Sequence, residues 1–143
     1  LNYAVEPRYG VIHDIGRKVF LRQPIDLTMG HVNVIWQGDA NSVALRSLAH
    51  AQSPPLVLNL TGPQMLSVRW IAQRFAERLG VEPVFTGAES PTALLSNAAL
   101  CARMFGPPGV PVEQVIDWTA DWIARGGTSL GKPTHFETRD GRF

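Results

Sequence analysis

Four histidines, a single cysteine and twelve carboxylates are the groups with which this chain of 143 residues could hold a metal or move a proton. His13, His31, His50 and His135 are scattered without H-x-x-x-H spacing and Cys101 stands alone, so the pattern offers neither a zinc site nor an internal disulfide. Nucleophilic chemistry has no better footing: there is no G-x-S-x-G elbow, and a Ser-His-Asp set can be drawn only by choosing residues freely. Neither G-x-G-x-x-G nor G-x-x-x-x-G-K-[ST] occurs, which removes the phosphate-cradling turns as well. Polar groups suited to holding a ligand are easier to find. Asn2 follows a strand end, and its carboxamide can both donate and accept. Asn33 and Trp36 belong to a strand that runs straight into a helix, and α/β proteins place ligands at the carboxyl ends of strands.

The elements that would position these groups follow from periodicity. Residues 31–51, HVNVIWQGDANSVALRSLAHA, pass from the apolar run Val32, Val34, Ile35, Trp36 through Gln37-Gly38-Asp39 into a helix. Ala40, Val43, Ala44, Leu48 and Ala51 share one face of it, and Asp39 is the expected N-cap. Upstream, residues 1–5 end a strand and 6–10 form a loop. A helix over 11–22 then buries Ile12, Ile15, Val19 and Phe20 and turns His13, Asp14, Arg17 and Lys18 to water. Ile25, Leu27 and Met29 alternate with Asp26 and Thr28 in a short strand closed by Gly30. Beyond Ser53-Pro54-Pro55, the run LVLNL at 56–60 is apolar enough for a strand covered on both faces.

Ser67 caps a helix that runs to Leu79, with Gly80 at C′, and residues 81–86 form another strand. A helix over 92–104 ends at Phe105-Gly106-Pro107-Pro108-Gly109. Pro111 opens the last helix, whose stripe is Val112, Val115, Ile116, Trp122 and Ile123, with Asp117 and Asp121 solvated. The tail from 127 to 143 is polar and irregular, and Asp140-Gly141 suggests a small hairpin in it. Short strands alternating with amphipathic helices give an α/β class.

Composition narrows the function. At 45% apolar and 17% charged the chain reads as a soluble globular domain with a real core. A net charge of +1 gives no basic excess for a phosphate backbone, so nucleic acid is a poor partner. No apolar run is long enough for a transmembrane span or a signal peptide, and with one cysteine a cytoplasmic location is the expectation. The first residue is Leu and LNYAV reads as the close of a strand, so a segment of a longer protein is expected.

The order of the pieces then resembles a known family. Leu-Asn-Tyr after a strand, a helix entering a short PID strand and a Gly, then V-N-V-I-W-Q-G-D-A-N and an Ala/Leu helix are similar to the C-terminal half of extended short-chain dehydrogenases, the NAD-dependent epimerase/dehydratase family. LVLNLTGPQMLSVRWIAQRFAERLGVEPVF resembles that family's segment of apolar strand, Asn, small residues and Ser-capped helix. LLSNAALCARMFGPPGVPVEQVIDWTADWI resembles its closing segment. The likeness spans residues 1–126, the expected substrate-binding portion with the last strands of a Rossmann-like sheet.

The resemblance implies an NAD or NADP enzyme in which hydride passes between the nicotinamide and a hydroxyl-bearing carbon. It also implies that the glycine-rich turn and the Tyr-x-x-x-Lys pair lie in an N-terminal Rossmann half: here Tyr3 is followed by Pro7 and Tyr9 by His13 at that spacing. Residues 1–143 alone are therefore expected to be inactive. By the same likeness, Leu1 and Asn2 come near the cofactor, and Asn2, Tyr3, Arg8, Tyr9 and Trp36 are the candidate substrate neighbours. Asp39 matches a family Asp that is chiefly structural. Nucleotide-sugar members place arginines where this chain has Val32 and Val84, and no arginine lies between Arg78 and Arg103. A diphosphate would lack its best partner, so a smaller polyol, sugar acid or hydroxy compound is the expected substrate. The expected partners are that small molecule and the chain's own N-terminal half, with a homodimer allowed. A non-catalytic dinucleotide or metabolite sensor and a free-standing α/β binding module are the alternatives.

Overall fold

The computed structural model describes residues 1–139, and the Asp140-Gly141 hairpin lies outside the described residues. The core is made by three helices, α1 (Val11–Phe20), α3 (Val68–Leu79) and α5 (Val112–Ala124), each packed on the other two. Ile12, Ile15 and Val19 of the first stripe, Ile71 and Phe75, and Val115 and Ile116 are buried as the periodicity predicts, while Phe20, expected with the first group, is 43% exposed at the helix end. The crossing is close because Gly16 has no side chain: a Cβ there would lie 2.7 Å from the Phe75 ring and 2.9 Å from Ile123. Local signals set the ends of α3. Ser67 Oγ accepts from the Trp70 amide at 3.3 Å, and Gly80 takes the left-handed conformation at φ 65°.

Around this core run six strands of two or three residues: β1 (Ala4–Val5), β2 (Pro24–Asp26), β3 (His31–Val32), β4 (Ile35–Trp36), β5 (Leu66–Ser67) and β6 (Val84–Thr86). They pair only two by two. β1 lies parallel to β4, with Ala4 opposite Ile35 and Val5 opposite Trp36. β2 lies parallel to β6, and β3 antiparallel to β5. Helix α2 (Gln37–Ser47) follows β4 without a loop, and α4 (Ala99–Phe105) packs near it in a second, smaller apolar cluster of Val43, Ala98, Cys101 and Phe105.

Several expectations are corrected. The run 56–60 is not a strand: its one backbone tie to the rest of the sheet region is the Asn2 amide donating to Leu60 O at 2.9 Å, and Leu56, Val57 and Asn59 are exposed. The α2 face is buried only at Ala40 and Val43, while Leu45 and Leu48 are 70% and 71% exposed. Uniform apolarity predicts burial only where a neighbour is at hand, and none covers these residues. Asp39 does not cap α2, whose N-cap position is Trp36; its carboxylate instead accepts from the Val110 amide at 3.0 Å. The helix expected over 92–104 is shortened to α4, and 88–98 is loop. His13 is 2% exposed rather than solvated. Asp117 pairs with Arg78 and keeps one oxygen buried. Trp122 turns its indole N–H to Thr128 O at 3.0 Å instead of joining the buried stripe.

These differences predict an uneven response to truncation. Phe75→Ala should lower the free energy of unfolding by about 3–5 kcal/mol in a denaturant titration. Leu45→Ser in the isolated chain should stay within about 0.5 kcal/mol of the parent.

Candidate functional site

The polar centre of the molecule is Asn33, between β3 and β4 and only 4% exposed. Its amide nitrogen donates to Ser96 O at 2.7 Å and to Gly62 O at 3.3 Å. Its oxygen accepts from Asn2 Nδ2 at 3.1 Å and from the Ser96 amide at 3.4 Å. One side chain therefore joins the start of the chain, the loop at 61–63 and the loop at 88–98, with donors and acceptors all satisfied. Thr61 adds a hydroxyl bond to Asn33 O at 3.1 Å. The approach is so tight that a Cβ on Gly62 would meet Val34 O at 2.0 Å. Asn2 is half-buried here, while Leu1 beside it is exposed.

Of the other candidates, Tyr3 directly precedes β1, Arg8 and Tyr9 follow it, and Trp36 is the last residue of β4. Residues 6–9 close on themselves through two Glu6–Tyr9 backbone bonds of 3.1 Å, immediately after β1. The Arg8 guanidinium folds back on the Glu6 carboxylate at 3.0 Å and stands exposed. Tyr3 has φ 45° and packs its ring against the core. Burial, with the Glu137 carboxylate and Tyr9 nearby, raises its phenol above the ordinary value, so it stays a hydroxyl donor. Trp36, in register beside Val5, walls an open cleft of about 340 Å³ with Gly62, Pro63, Gln64 and the loop at 107–111. Its ring meets Trp118 edge-on at 5.3 Å. The structure thus brings Asn2 to Asn33 at the entry of the β1–β4 pair and gathers Tyr3, Arg8 and Tyr9 about the 6–9 turn. Trp36 faces a cleft of its own.

Two arginines from elsewhere reach the loop at 88–98, and each is held by protein acceptors. Arg69 pairs with Glu89 at 2.8 Å, and Arg139 donates to Thr92 O at 2.9 Å and to Thr28 O at 3.2 Å. Val32 is fully buried. Among the described residues no group of His, Cys, Asp and Glu could hold a metal ion, and no helix is long and apolar enough to cross a membrane.

A dinucleotide does not fit the turns that are present. Of the three entries into long helices after a strand or bridge, the one at Ser67 has no glycine in its first turn, while Gly38 in the turn after Trp36 and Gly10 before α1 are both covered, since a Cβ would meet Trp36 Nε1 at 2.5 Å and Val5 Cγ1 at 2.7 Å.

Asn33, read from its strand as a group suited to holding a ligand, spends its donors and acceptors on the protein, and with Asp39 it positions loops instead. A polar residue in the middle of the apolar run VNVIW was the signal for the first, because a strand interior tolerates it only with partners. The carboxamide is testable without changing its shape. Asn33→Asp should cost about 2–3 kcal/mol at pH 7, because a carboxylate would face two carbonyl oxygens. The buried acid would titrate above its ordinary value, so this loss should shrink as pH falls and the protonated group donates; thermal melts across pH read both effects.

No family model matches the chain, and no curated protein does. Solved structures do. The GDP-mannoheptose C4 reductase of Campylobacter jejuni, solved with NADP, is 11% identical with a TM-score of 0.66, over 85% of this chain and 47% of that one. The UDP-glucuronic acid 4-epimerase of Bacillus cereus, in complex with NAD, is 13% identical with a TM-score of 0.63, over 87% of this chain and 42% of that one. A UDP-galactose 4-epimerase is 22% identical with a TM-score of 0.63, over 87% and 44%. The chain thus spans less than half the length of the structures it matches, and its short strands and helices have the α/β fold of the C-terminal portion of such epimerases and reductases.

Proposed function

We propose that this chain is the substrate-binding portion of an NAD(P)-dependent epimerase, dehydratase or dehydrogenase acting on a hydroxyl-bearing, sugar-like or sugar-acid substrate. The observation that carries the reading is the likeness in fold to the C-terminal portion of nicotinamide-dependent enzymes of which this chain spans less than half. In this reading the dinucleotide and the proton-transfer pair belong to an N-terminal Rossmann half, in keeping with the lack of a fitting phosphate turn here.

The open apolar face supports the same reading. Leu1, 76% exposed, and Leu56 border an open hollow with Ala44, Leu58, Leu60 and Phe105, and Leu45, Leu48 and Val57 on the same segments are 70%, 71% and 82% exposed. Water-exposed leucines in such number favour a protein partner. The occupant we assign is the nucleotide-binding half, whose sheet would continue beside residues 1–3 and 56–60.

What the pocket would recognise follows from its groups. Asn2 offers a carboxamide, Tyr3 and Tyr9 offer hydroxyls, and these suit the alternating donors and acceptors of a polyol or sugar. Arg8, Arg69 and Arg139 are each already paired, which weakens the case for a diphosphate.

Purified residues 1–143 should neither reduce NAD nor bind it tightly. Quenching of tryptophan fluorescence by a sugar acid, a polyol and a UDP-sugar should show no advantage for the nucleotide. Turnover of NAD by the isolated chain would overturn the proposal, and tighter binding of the UDP-sugar would overturn its substrate class.

A further inference from the structure

Residues 128–139, which sequence patterning marks as irregular tail, are bound along α1 by a series of specific contacts. Trp122 anchors the near end through Thr128 O. The Leu130 amide donates to Arg8 O at 3.1 Å. Asp14 Oδ2 accepts from the Thr134 amide at 2.8 Å and from its hydroxyl at 2.6 Å. Lys18 pairs with Glu137 at 2.5 Å and lies over the Phe136 ring, which is itself 2% exposed in the main core. Arg139 closes the far end on Thr92.

Beside the Leu130–Arg8 bond, His13 joins this strap to the 6–9 turn through its side chain. Its Nδ1 lies 2.6 Å from Pro7 O and its Nε2 lies 3.1 Å from Ser129 Oγ. A carbonyl can only accept, so Nδ1 carries the proton and the neutral Nε2 accepts from the Ser129 hydroxyl. We propose that residues 128–139 form a latch that fixes the 6–9 turn, with His13 as the positioning residue that joins the two. The latch itself stands on geometry; its bearing on substrate rests on the reading that Tyr3, Arg8 and Tyr9 border the pocket.

The chemistry makes the latch sensitive to acid. Protonation at Nε2 would reverse the bond, so that the Ser129 hydroxyl must accept where it had donated, and would place a charge in a site closed to water. Desolvation, aided by Arg17 of the same helix, outweighs the Pro7 carbonyl bond and the Asp14 and Glu6 carboxylates, holding His13 below its ordinary value. With the folded value depressed, the stabilisation is complete above the ordinary histidine value of about 6.5. It is lost as pH falls from there through the folded value.

Amide exchange measured by NMR on the chain at pH 8 and at lower pH tests this. Protection of the Leu130 and Tyr9 amides should be present at pH 8 and fall together on acidification, while the α3 amide of Ala72 keeps its protection. Ser129→Ala, a change at a partly exposed site, should lower protection at Leu130 about tenfold at pH 8, the loss of one hydrogen bond. His13→Asn keeps a donor for Pro7 O but has no proton to gain, and should abolish the pH dependence. Free-peptide exchange at Leu130 in the parent chain would overturn the proposal. So would a Ser129→Ala chain that protects Leu130 and Tyr9 as the parent does, or an unchanged pH response in His13→Asn. The readout needs no ligand, so failure of the latch and failure of the substrate reading are separate results.

Discussion

Apolar burial is complete in one part of this molecule and incomplete in another, and the rest of the structure depends on that asymmetry. Where α1, α3 and α5 meet, Phe75, Ile71, Ile12 and Ile116 are closed from water and the packing leaves no room for a Cβ at Gly16. Around α2, α4 and residues 56–60 the apolar residues are as frequent, but the cluster is small and leucines face solvent. The first region explains how so short a set of strands holds together: the three helices supply most of the core, and Val5, Ile25, Val32 and Leu66 of the strands pack into it. The second is the surface on which the proposed partner half would pack.

Between the two regions polar groups do the positioning. Strand pairs of two or three residues fix little by themselves. The Asn33 carboxamide compensates by tying Asn2, Gly62 and Ser96 at one end of the β1–β4 pair, and His13 ties Pro7 to Ser129 at the other. Both are buried and matched donor to acceptor, the condition under which an interior polar group specifies geometry rather than costing stability. The candidate substrate residues sit on the segments these two side chains hold.

Much of this was legible in the residues. Helix α3 could be bounded because its signals are local, a serine cap and a left-handed glycine, and the stripes of α1 and α5 follow from 3.6-residue spacing. The run 56–60 could not, because an apolar pattern records what a segment would bury and not whether a neighbour is there to bury it. His13 lies among Asp14, Arg17 and Lys18, so its neighbours suggested water, yet its partners come from Pro7 and from Ser129, more than a hundred positions away. The tail was opaque for the same reason. Of the candidate site, Asn2 and Tyr3 stood out by type and place, whereas the carbonyls that complete the Asn33 node belong to loops without any sequence signature.

The central claim is that the leucine-rich face around α2 and residues 56–60 is an interface with a nucleotide-binding half. Side-chain footprinting of Leu45, Leu48, Leu56 and Val57 tests it most directly, comparing residues 1–143 alone with a longer polypeptide that carries the proposed nucleotide-binding half ahead of them. The account predicts heavy labelling of all four in the isolated chain and strong protection in the longer one. Equal labelling in both would contradict it.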